Sequence, residues 1–215
     1  MINLENIRKE LSSVQGIYIE SILEKNSYII VCLYFDASVK INGAEFDLNN
    51  KVNIEIPKEY PVKLPIVFES GKKVIRNFPH INPDIKGTFC LGTEIDIRRR
   101  LKPSYPLVKY IQIIAEFLGT YKYYKEYENF PHGDRGHGVA GIVEAYKEIF
   151  SVSTKQQVLN LMKIEKLKNE DKNKKCPCNS GKKFKMCHWN LLNTMLQNSM
   201  ERSQLKRDYR KICGG

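Results

Sequence analysis

The sequence predicts a soluble α+β protein, and three observations support this prediction. An amphipathic helical pattern opens the chain, several strand-like segments follow it, and helical spacing returns only in the second half. Helices separated from a run of consecutive strands are typical of an α+β domain with an antiparallel sheet. Apolar residues form 42% and charged residues 27% of the chain, as in an ordinary globular protein.

The first half contains one predicted helix and three predicted strands. Apolar residues recur every two to four positions over residues 2–15, which predicts an amphipathic helix. The predicted strands are Tyr28–Phe35, Val52–Ile56 and Pro65–Phe68. The first strand is apolar throughout and suits the centre of a sheet, whereas the second alternates and suits a strand with one face in water. Asn, Gly or Pro residues bound each strand.

Loops and helices alternate in the second half. Residues 78–97 are rich in Pro, Gly, Asn and Asp, which predicts a long ordered loop of the kind that commonly carries function. Helical spacing returns over Tyr105–Leu118. A second loop over residues 129–138 leads to a helix that contains Ile142–Ile149, and we expect further helices in the polar C-terminal part.

Positive charge is concentrated at the C-terminal end. Residues 1–150 have a net charge of +1 and residues 151–215 a net charge of +10. We therefore divide the chain into a domain over 1–150, a helical lysine-rich linker over 151–175, a metal-binding motif over 176–188 and a basic helical tail over 189–215. Such a charge excess is either a solvated surface or a binding site for an anionic partner.

Two absences restrict the location of the protein. No apolar run approaches the roughly 20 residues that a membrane-spanning helix needs, and the N-terminus lacks the apolar core of a signal peptide. We therefore expect no membrane span and a cytoplasmic location. In that compartment, closely spaced cysteines bind metal or take part in chemistry more often than they form disulfides. Cys32 lies in an apolar run and is predicted to be a core residue.

Cys90 has the surroundings that nucleophilic chemistry requires. An unperturbed cysteine with a pKa of about 8.5 is only slightly ionised at pH 7, although the thiolate is the nucleophile. Cys90 follows a turn that contains Gly87, and His80 and Asn82 shortly precede it. An asparagine amide near the sulfur is suited to donate a hydrogen bond to the oxyanion that forms when a thioester is attacked.

These residues resemble the ubiquitin-conjugating enzymes. In that family a Tyr-Pro-x-x-Pro-Pro turn, a His-Pro-Asn tripeptide and Gly-x-x-Cys-Leu occur in this order. This chain has Tyr60-Pro61-Val62-Lys63-Leu64-Pro65, then His80-Ile81-Asn82, then Gly87-Thr88-Phe89-Cys90-Leu91. His80 and Asn82 stand ten and eight residues before Cys90, as in the family. Leu64 and Ile81 replace two prolines of the pattern, and the family's tryptophan region has no counterpart.

The resemblance implies a UBC-like fold for residues 1–150 and a thioester transferase. Cys90 would receive the C-terminus of a ubiquitin-like protein from a ubiquitin-activating-like enzyme and pass it to an amine, such as a lysine of an acceptor protein. Asn82 would stabilise the oxyanion or order the loop, and His80 would fix the loop. Four carboxylates are candidates for assisting the amine: Asp84, Glu94, Asp96 and Asp134.

Residues 131–138 are similar to a His- and Gly-containing segment of bacterial relatives in antiphage operons. In those systems the modified protein can be a nucleotidyltransferase that makes cyclic dinucleotides, so the resemblance implies a role in antiviral defence. His132 and His137 either line the active-site cleft or belong to an ordered surface loop. The alternative to an enzyme is a non-catalytic UBC-fold adaptor that only holds partners.

A second group of residues indicates a metal site. Cys176, Cys178, Cys187 and His188 offer three thiolates and an imidazole, which suits a structural, tetrahedral Zn²⁺ site. A segment this short cannot fold unaided, so we expect the metal to supply its folding energy. Residues 176–188 resemble the SEC-C motif, which implies a protein-docking role. The nearby Phe184 and Trp189 either cover the motif or present an apolar binding face.

Lysines around this motif offer an alternative partner, a nucleic acid or another anion. They are Lys174, Lys175, Lys182, Lys183 and Lys185. No base-reading motif accompanies them, so we rank nucleic acid second. The final Gly214-Gly215 resembles the end of a ubiquitin-like protein, but nothing before it resembles that fold. We therefore expect a frayed terminus, with Cys213 as an exposed thiol.

Overall fold

A computed structural model describes residues 2–70, 75, 78–131, 133 and 135–214. Within these ranges the chain forms an α+β structure that begins with a helix, continues as antiparallel strands and ends in helices. The elements are α1 (Leu4–Ser12), β1 (Ile17–Glu24), β2 (Tyr28–Phe35), β3 (Ala37–Ile41), β4 (Ala44–Leu48), β5 (Lys51–Pro57), β6 (Ile66–Glu69), α2 (Glu94–Leu101), α3 (Leu107–Tyr127), α4 (Gly138–Phe150), α5 (Lys155–Met162), α6 (Trp189–Gln197) and α7 (Ser199–Gly214). No helix among the described residues has the length and apolar character to span a membrane.

The chain forms two compact units. The first comprises residues 1–92 and 100–134, and the second comprises residues 93–99 and 135–215. Composition changes after residue 150, whereas the longer segment of the second unit already begins at Arg135. The reason is that Tyr146 and Phe150 of α4 are buried in one core with residues of the later helices, such as Leu192 of α6.

A four-stranded antiparallel sheet in the order β1-β2-β5-β6 dominates the first unit. Strand β2 lies between β1 and β5, so its apolar sequence is that of a central strand. Alternate residues of β2 are fully buried: Ile29, Val31, Leu33 and Phe35. Cys32 is also buried, as its position in the apolar run predicts.

Three strands were not predicted. Strand β1 has an irregularity between Ile19 and Ser21, which disrupts the alternation by which a strand is recognised. Strands β3 and β4 form a separate two-stranded hairpin. The Asn42-Gly43 dipeptide between them has positive φ at both residues, which is the backbone of a tight two-residue hairpin turn. Asn-Gly is a sequence signal for such a turn and would have predicted this hairpin.

The predicted loop over residues 78–97 was wrong at its C-terminal end, where α2 begins at Glu94. Thr93 precedes this helix, and its hydroxyl accepts a hydrogen bond from the backbone N–H of Asp96. The same hydroxyl donates to the Asp96 carboxylate at 2.7 Å. This side-chain capping starts the helix despite the polar sequence around it.

Helix α3 packs closely against the β3–β4 hairpin in the first unit. The closest approach is at Gly119, where an added Cβ atom would lie 2.5 Å from Val39 and 2.9 Å from Ile41. A glycine in a helix interior costs about 1 kcal/mol relative to alanine. Here the missing side chain lets the hairpin approach the helix.

The second unit contains a buried polar network besides its apolar core. Arg98 is fully buried and donates to Gln204 at 3.1 Å, and Gln204 donates to Asp208 at 2.9 Å. Asp208 also accepts a hydrogen bond from the Tyr146 hydroxyl, and burial raises the pKa of this carboxyl. Helix α7 is therefore part of the core of the second unit.

The predicted helical tail over residues 189–215 contains two helices in the structure, α6 and α7. The side chain of Asn198 accepts hydrogen bonds from the backbone N–H groups of Met200 and Glu201, both at 3.0 Å. Asn198 thus caps the start of α7 directly after α6 ends. The change of direction brings Leu205 and Ile212 of α7 into the core.

We expect Gly119→Ala to destabilise the first unit by about 1–2 kcal/mol. Overpacking against Val39 and Ile41 should outweigh the roughly 1 kcal/mol that alanine gains in helix propensity. Urea denaturation followed by circular dichroism measures the change. Gln112→Ala, at an exposed position of the same helix, is the control and should stay within about 0.5 kcal/mol of the parent. An unchanged or raised midpoint for Gly119→Ala would show that the hairpin moves freely away from the helix.

Candidate functional site

The predicted zinc ligands come together in the second unit. The ligand atoms of Cys176, Cys178, Cys187 and His188 all lie within 4.8 Å of one another. Cys178 Sγ is 3.6 Å from Cys187 Sγ, and His188 Nδ1 is 3.3 Å from Cys176 Sγ. A disulfide requires an S–S distance of about 2.05 Å, so these sulfurs are not bonded to each other.

The distances fit a shared tetrahedral ion. With zinc–sulfur bonds of about 2.3 Å, two sulfurs of a tetrahedron lie roughly 3.8 Å apart, close to the observed separation. A sulfur and an imidazole nitrogen lie roughly 3.5 Å apart in the same geometry. Four protein ligands complete the coordination of zinc and leave no position for a substrate, so such a site is structural.

A tight backbone turn supplies the first two ligands. The N–H of Cys176 donates to the carbonyl of Lys182, and the N–H of Asn179 donates to the carbonyl of Cys176. Asn179 and Gly181 have φ values of 61° and 77°, which lie in the left-handed region. The turn therefore favours glycine at position 181, where the backbone has this conformation without steric cost.

A short 3₁₀ turn supplies the other two ligands. It spans Phe184–Met186 and is followed directly by Cys187 and His188, after which α6 begins at Trp189. Phe184 and Trp189 are both buried, and their rings meet edge to face at 5.4 Å. Of the two roles considered for these aromatic residues, their burial in the core of the second unit favours covering the motif.

The imidazole is oriented by a contact distant in sequence. His188 Nε2 lies 2.6 Å from the carbonyl oxygen of Phe150, at the end of α4. A carbonyl only accepts hydrogen bonds, so Nε2 carries the proton and Nδ1 presents its lone pair to the sulfurs. Metal-binding histidines commonly have such a partner on the second ring nitrogen. This partner could not be identified from local sequence patterns.

Helix α5 also holds the metal-binding turn. Its Gln157 side chain donates to the carbonyl of Cys178 at 2.9 Å, and Asn160 donates to the carbonyl of Pro177 at 3.1 Å. The predicted linker over residues 151–175 therefore contains a helix that supports the site. Polar residues of this helix have a specific structural role that composition alone did not indicate.

The surroundings of the cluster shift the pKa values of two of its thiols in opposite directions. Burial raises the pKa of Cys176 to about 12. Burial also acts to raise the pKa of Cys178, but hydrogen bonds from Ser180 and Cys176 prevail and lower it to about 7. Buried sulfur anions so close together repel one another, and a bound Zn²⁺ would replace their protons and neutralise this charge.

The second candidate site, in the first unit, is a short hairpin around Cys90. The N–H of Cys90 donates to the carbonyl of His80 at 2.8 Å, and the N–H of Asn82 donates to the carbonyl of Thr88 at 2.8 Å. Ile81 pairs directly with Phe89 between these contacts. Because side chains alternate along paired strands, His80, Asn82, Thr88 and Cys90 share one face of this hairpin.

The side chains on this face contact one another in pairs. The Asn82 amide donates to the Thr88 hydroxyl at 3.1 Å, and a ring nitrogen of His80 lies within 4.8 Å of Cys90 Sγ. Cys90, His80 and Asn82 are all half-buried. The cysteine is therefore at a surface and is not enclosed in the core.

Aromatic residues hold His80 in place. Its ring meets Phe130 at 4.8 Å and Phe78 at 5.5 Å, both edge to face. On the opposite face of the hairpin, the buried Phe89 stacks on Phe117 of α3 at 4.5 Å. The hairpin is thus attached to α3 by apolar contacts while its polar face remains accessible.

The candidate acidic residues have different surroundings. Asp84 accepts hydrogen bonds from the Thr88 hydroxyl and from backbone N–H groups. These bonds lower the pKa of the Asp84 carboxyl, and the bond from the Thr88 hydroxyl has the largest effect. In the second unit, Asp96 pairs with Arg135, and Glu94 lies within ion-pair distance of basic residues that include Arg98. Asp134 lies outside the described residues.

The two histidines of the second loop are not equally described. His132 lies outside the described residues, so its predicted position stays a prediction. His137 belongs to the second unit, where it directly precedes α4.

Comparison with protein families matches residues 173–190 to the SEC-C motif. The match covers the four clustered ligands and confirms this part of the sequence prediction. No curated protein and no solved structure matches the chain.

We expect the purified protein to contain one zinc ion per chain, measured by plasma mass spectrometry. Cys178→Ser should lose the ion, and chelation should lower the free energy of unfolding of the second unit. Removal of zinc should lower this free energy of unfolding by about 4 kcal/mol when the free zinc concentration had been 1,000 times the Kd. Cys213→Ser is the matched control because Cys213 is exposed and lies outside the cluster. Zinc retained by Cys178→Ser, or absent from the parent protein, would contradict the site.

Proposed function

We propose that the protein is a ubiquitin-conjugating-like thioester transferase with Cys90 as its nucleophile. The observation that carries this proposal is the hairpin over residues 80–90. It aligns Cys90 with His80 and Asn82 on a half-exposed face, in the order and spacing that the resemblance requires. A nucleophilic thiol must be accessible to a large protein substrate, and a surface hairpin meets this condition.

The architecture supports the same proposal at a coarser level. A UBC-like fold requires an N-terminal helix, an antiparallel sheet and C-terminal helices, and this order of elements occurs in the chain. Tyr60-Pro61 lies in the turn between β5 and β6, and the Tyr60 hydroxyl donates to the carbonyl of Tyr105 at 2.6 Å. The first anchor of the resemblance is thus tied to the segment that precedes α3.

The proposed reaction has two acyl transfers. Cys90 Sγ attacks the thioester carbonyl on a ubiquitin-activating-like enzyme, a new C–S bond forms, and the enzyme's thiol leaves. The acyl group belongs to the C-terminus of a ubiquitin-like protein or of a nucleotidyltransferase. An acceptor amine, such as a lysine, then attacks this carbonyl, an amide bond forms, the amine proton passes to water, and the Cys90 thiolate leaves.

Asn82 is proposed to stabilise the oxyanion of the second step. Its amide donates to the Thr88 hydroxyl in this structure. The Thr88 hydroxyl in turn donates to Asp84, so the amide belongs to a hydrogen-bonded chain that orients it. A half-exposed amide held in this way is able to exchange its hydroxyl partner for a developing oxyanion. His80, packed between aromatic rings, is proposed to fix the hairpin.

The zinc motif is proposed to dock a partner, as the SEC-C resemblance implies, and its exposed lysines favour an anionic partner. The wider biological setting is proposed to be bacterial antiviral defence. Both parts of the proposal rest on resemblance, whereas the Cys90 chemistry is also supported by the hairpin geometry.

We expect the full chain to accept an acyl group at Cys90 from a synthetic thioester. The probe is a fluorescent peptide that ends in Gly-Gly, activated as a small-molecule thioester, and peptide mapping by mass spectrometry locates the adduct. A reductant should cleave the adduct of the parent protein, whereas Cys90→Ser should give an oxyester that resists cleavage. Cys213→Ser controls for the exposed second thiol. Labelling that is unchanged in Cys90→Ala would overturn the transferase and leave the non-catalytic adaptor.

We expect Asn82→Ala to slow discharge of the loaded protein onto free lysine by about 10²–10³-fold, because it removes a donor to the oxyanion. Loading of Cys90 and the thermal midpoint should change little. Thr88→Val is the comparison variant, because it removes the group that orients the Asn82 amide but keeps the amide, so it should slow discharge less than Asn82→Ala does. Equal slowing in both variants would assign Asn82 a role in loop order only.

A further inference from the structure

The metal-binding turn holds two lysines directly opposite each other. Lys175 and Lys183 form an antiparallel backbone bridge, and side chains at such paired positions project to the same side. Both residues are exposed. Like charges placed opposite each other across strands are destabilising. This arrangement is unfavourable in the isolated protein and becomes favourable when an anion lies between the two ammonium groups.

The surrounding charges do not neutralise this pair. Lys182 and Lys185 are also exposed on the same segment, and within the described part of the chain no carboxylate lies within ion-pair distance of these four lysines. The neighbouring Lys174 differs, because its ammonium contacts Asp171 at 2.8 Å. A zinc ion with three thiolates would contribute only one net negative charge. The segment therefore retains a strong positive charge.

The backbone fixes the position of these charges. The N–H of Phe184 donates to the carbonyl of Lys174 at 2.8 Å, next to the bridge, and the cysteines anchor both ends of the turn. Lysine side chains remain mobile, but their Cα atoms are held in one arrangement. A fixed cluster of charges loses less entropy on binding than charges on a disordered tail.

Among the described residues, the surface of the turn exposes no aromatic ring and one large apolar side chain. Phe184 and Trp189 are buried, and the large exposed apolar residue of the turn is Met186, 72% exposed. Cores of protein interfaces are enriched in aromatic residues, methionine and arginine and depleted of lysine. A surface with four exposed lysines around a single methionine therefore differs from such a core. Contacts with a phosphodiester backbone require only well-placed positive charges. The same buried aromatic rings are unavailable for stacking on single-stranded bases.

We propose that Lys175, Lys182, Lys183 and Lys185 form a binding site for the phosphodiester backbone of double-stranded nucleic acid. We expect its contacts to be with phosphate groups and to show no sequence preference, because no base-reading motif accompanies the lysines. It is independent of the Cys90 chemistry, which lies in the first unit. Its effect is to bring the protein to duplex nucleic acid through the zinc motif.

The test uses the full-length, zinc-loaded protein and a short fluorescent DNA duplex of arbitrary sequence. Fluorescence anisotropy over a salt series gives the slope of log K against log salt. Two to four phosphate contacts predict a slope between about −1.8 and −3.6. Lys175→Gln/Lys183→Gln should weaken binding by about tenfold or more at low salt and reduce the slope by about 1.8.

Two measurements separate this site from general charge and from misfolding. Lys25→Gln/Lys40→Gln removes the same charge from exposed positions of the first unit and should leave affinity and slope close to those of the parent. The Lys175→Gln/Lys183→Gln variant should keep its zinc and show an unchanged or higher thermal midpoint, because it relieves the repulsion between the two lysines.

Three results would overturn the proposal. The first is equal loss of affinity in both double variants, which would indicate diffuse attraction by net charge. The second is tighter binding to polyglutamate, which would indicate an acidic protein partner. The third is tighter binding to phosphatidylserine vesicles, which would indicate a membrane surface.

Discussion

The second unit depends on the convergence of three sulfurs and one imidazole at a single point. Cys176 and Cys178 lie on a backbone turn, while Cys187 and His188 lie at the end of a 3₁₀ turn, and neither turn has enough apolar area to fold alone. In zinc-finger peptides, metal binding contributes roughly 10–16 kcal/mol at neutral pH, which is comparable to the stability of a whole domain. A metal held by both turns would fix Phe184 and Trp189, which are part of the core. The metal site and the hydrophobic core are therefore mutually dependent.

The four candidate ligands could be predicted because the sequence pattern that identifies them is local. Their spacing and the glycine between the pairs lie within thirteen residues of sequence, and the backbone realises that pattern directly. The hydrogen bond from His188 to the Phe150 carbonyl spans 38 residues and depends on how α4 packs. The boundary of the second unit at Arg135 also depends on tertiary packing. Packing, and not composition, makes α4 part of the second unit. No local periodicity contains this information.

The Cys90 segment is the opposite case. The sequence singled out its candidate residues but did not predict that they pair in a hairpin. The sequence predicted a loop because residues 78–97 lack alternation. The structure nevertheless pairs His80 with Cys90 and Asn82 with Thr88 in a short hairpin. This pairing gives a physical reason for the spacings of ten and eight residues, since a change of one residue would turn a side chain to the other face. The four candidates for an acidic residue that would assist the amine have no such fixed spacing, so the sequence alone did not distinguish them.

The two roles proposed for the cysteines of this chain have opposing requirements. A nucleophilic thiolate must reach solvent, whereas metal-binding thiolates are stabilised by exclusion of water and by the charge of the ion. Cys90 is half-buried on a polar face, and Cys176 and Cys178 are buried. Zinc coordination would also protect the buried sulfurs from acylation, because their lone pairs would be directed at the metal. This chemical difference would allow the proposed reactive cysteine and the proposed structural cluster to occur in one chain without competition between them.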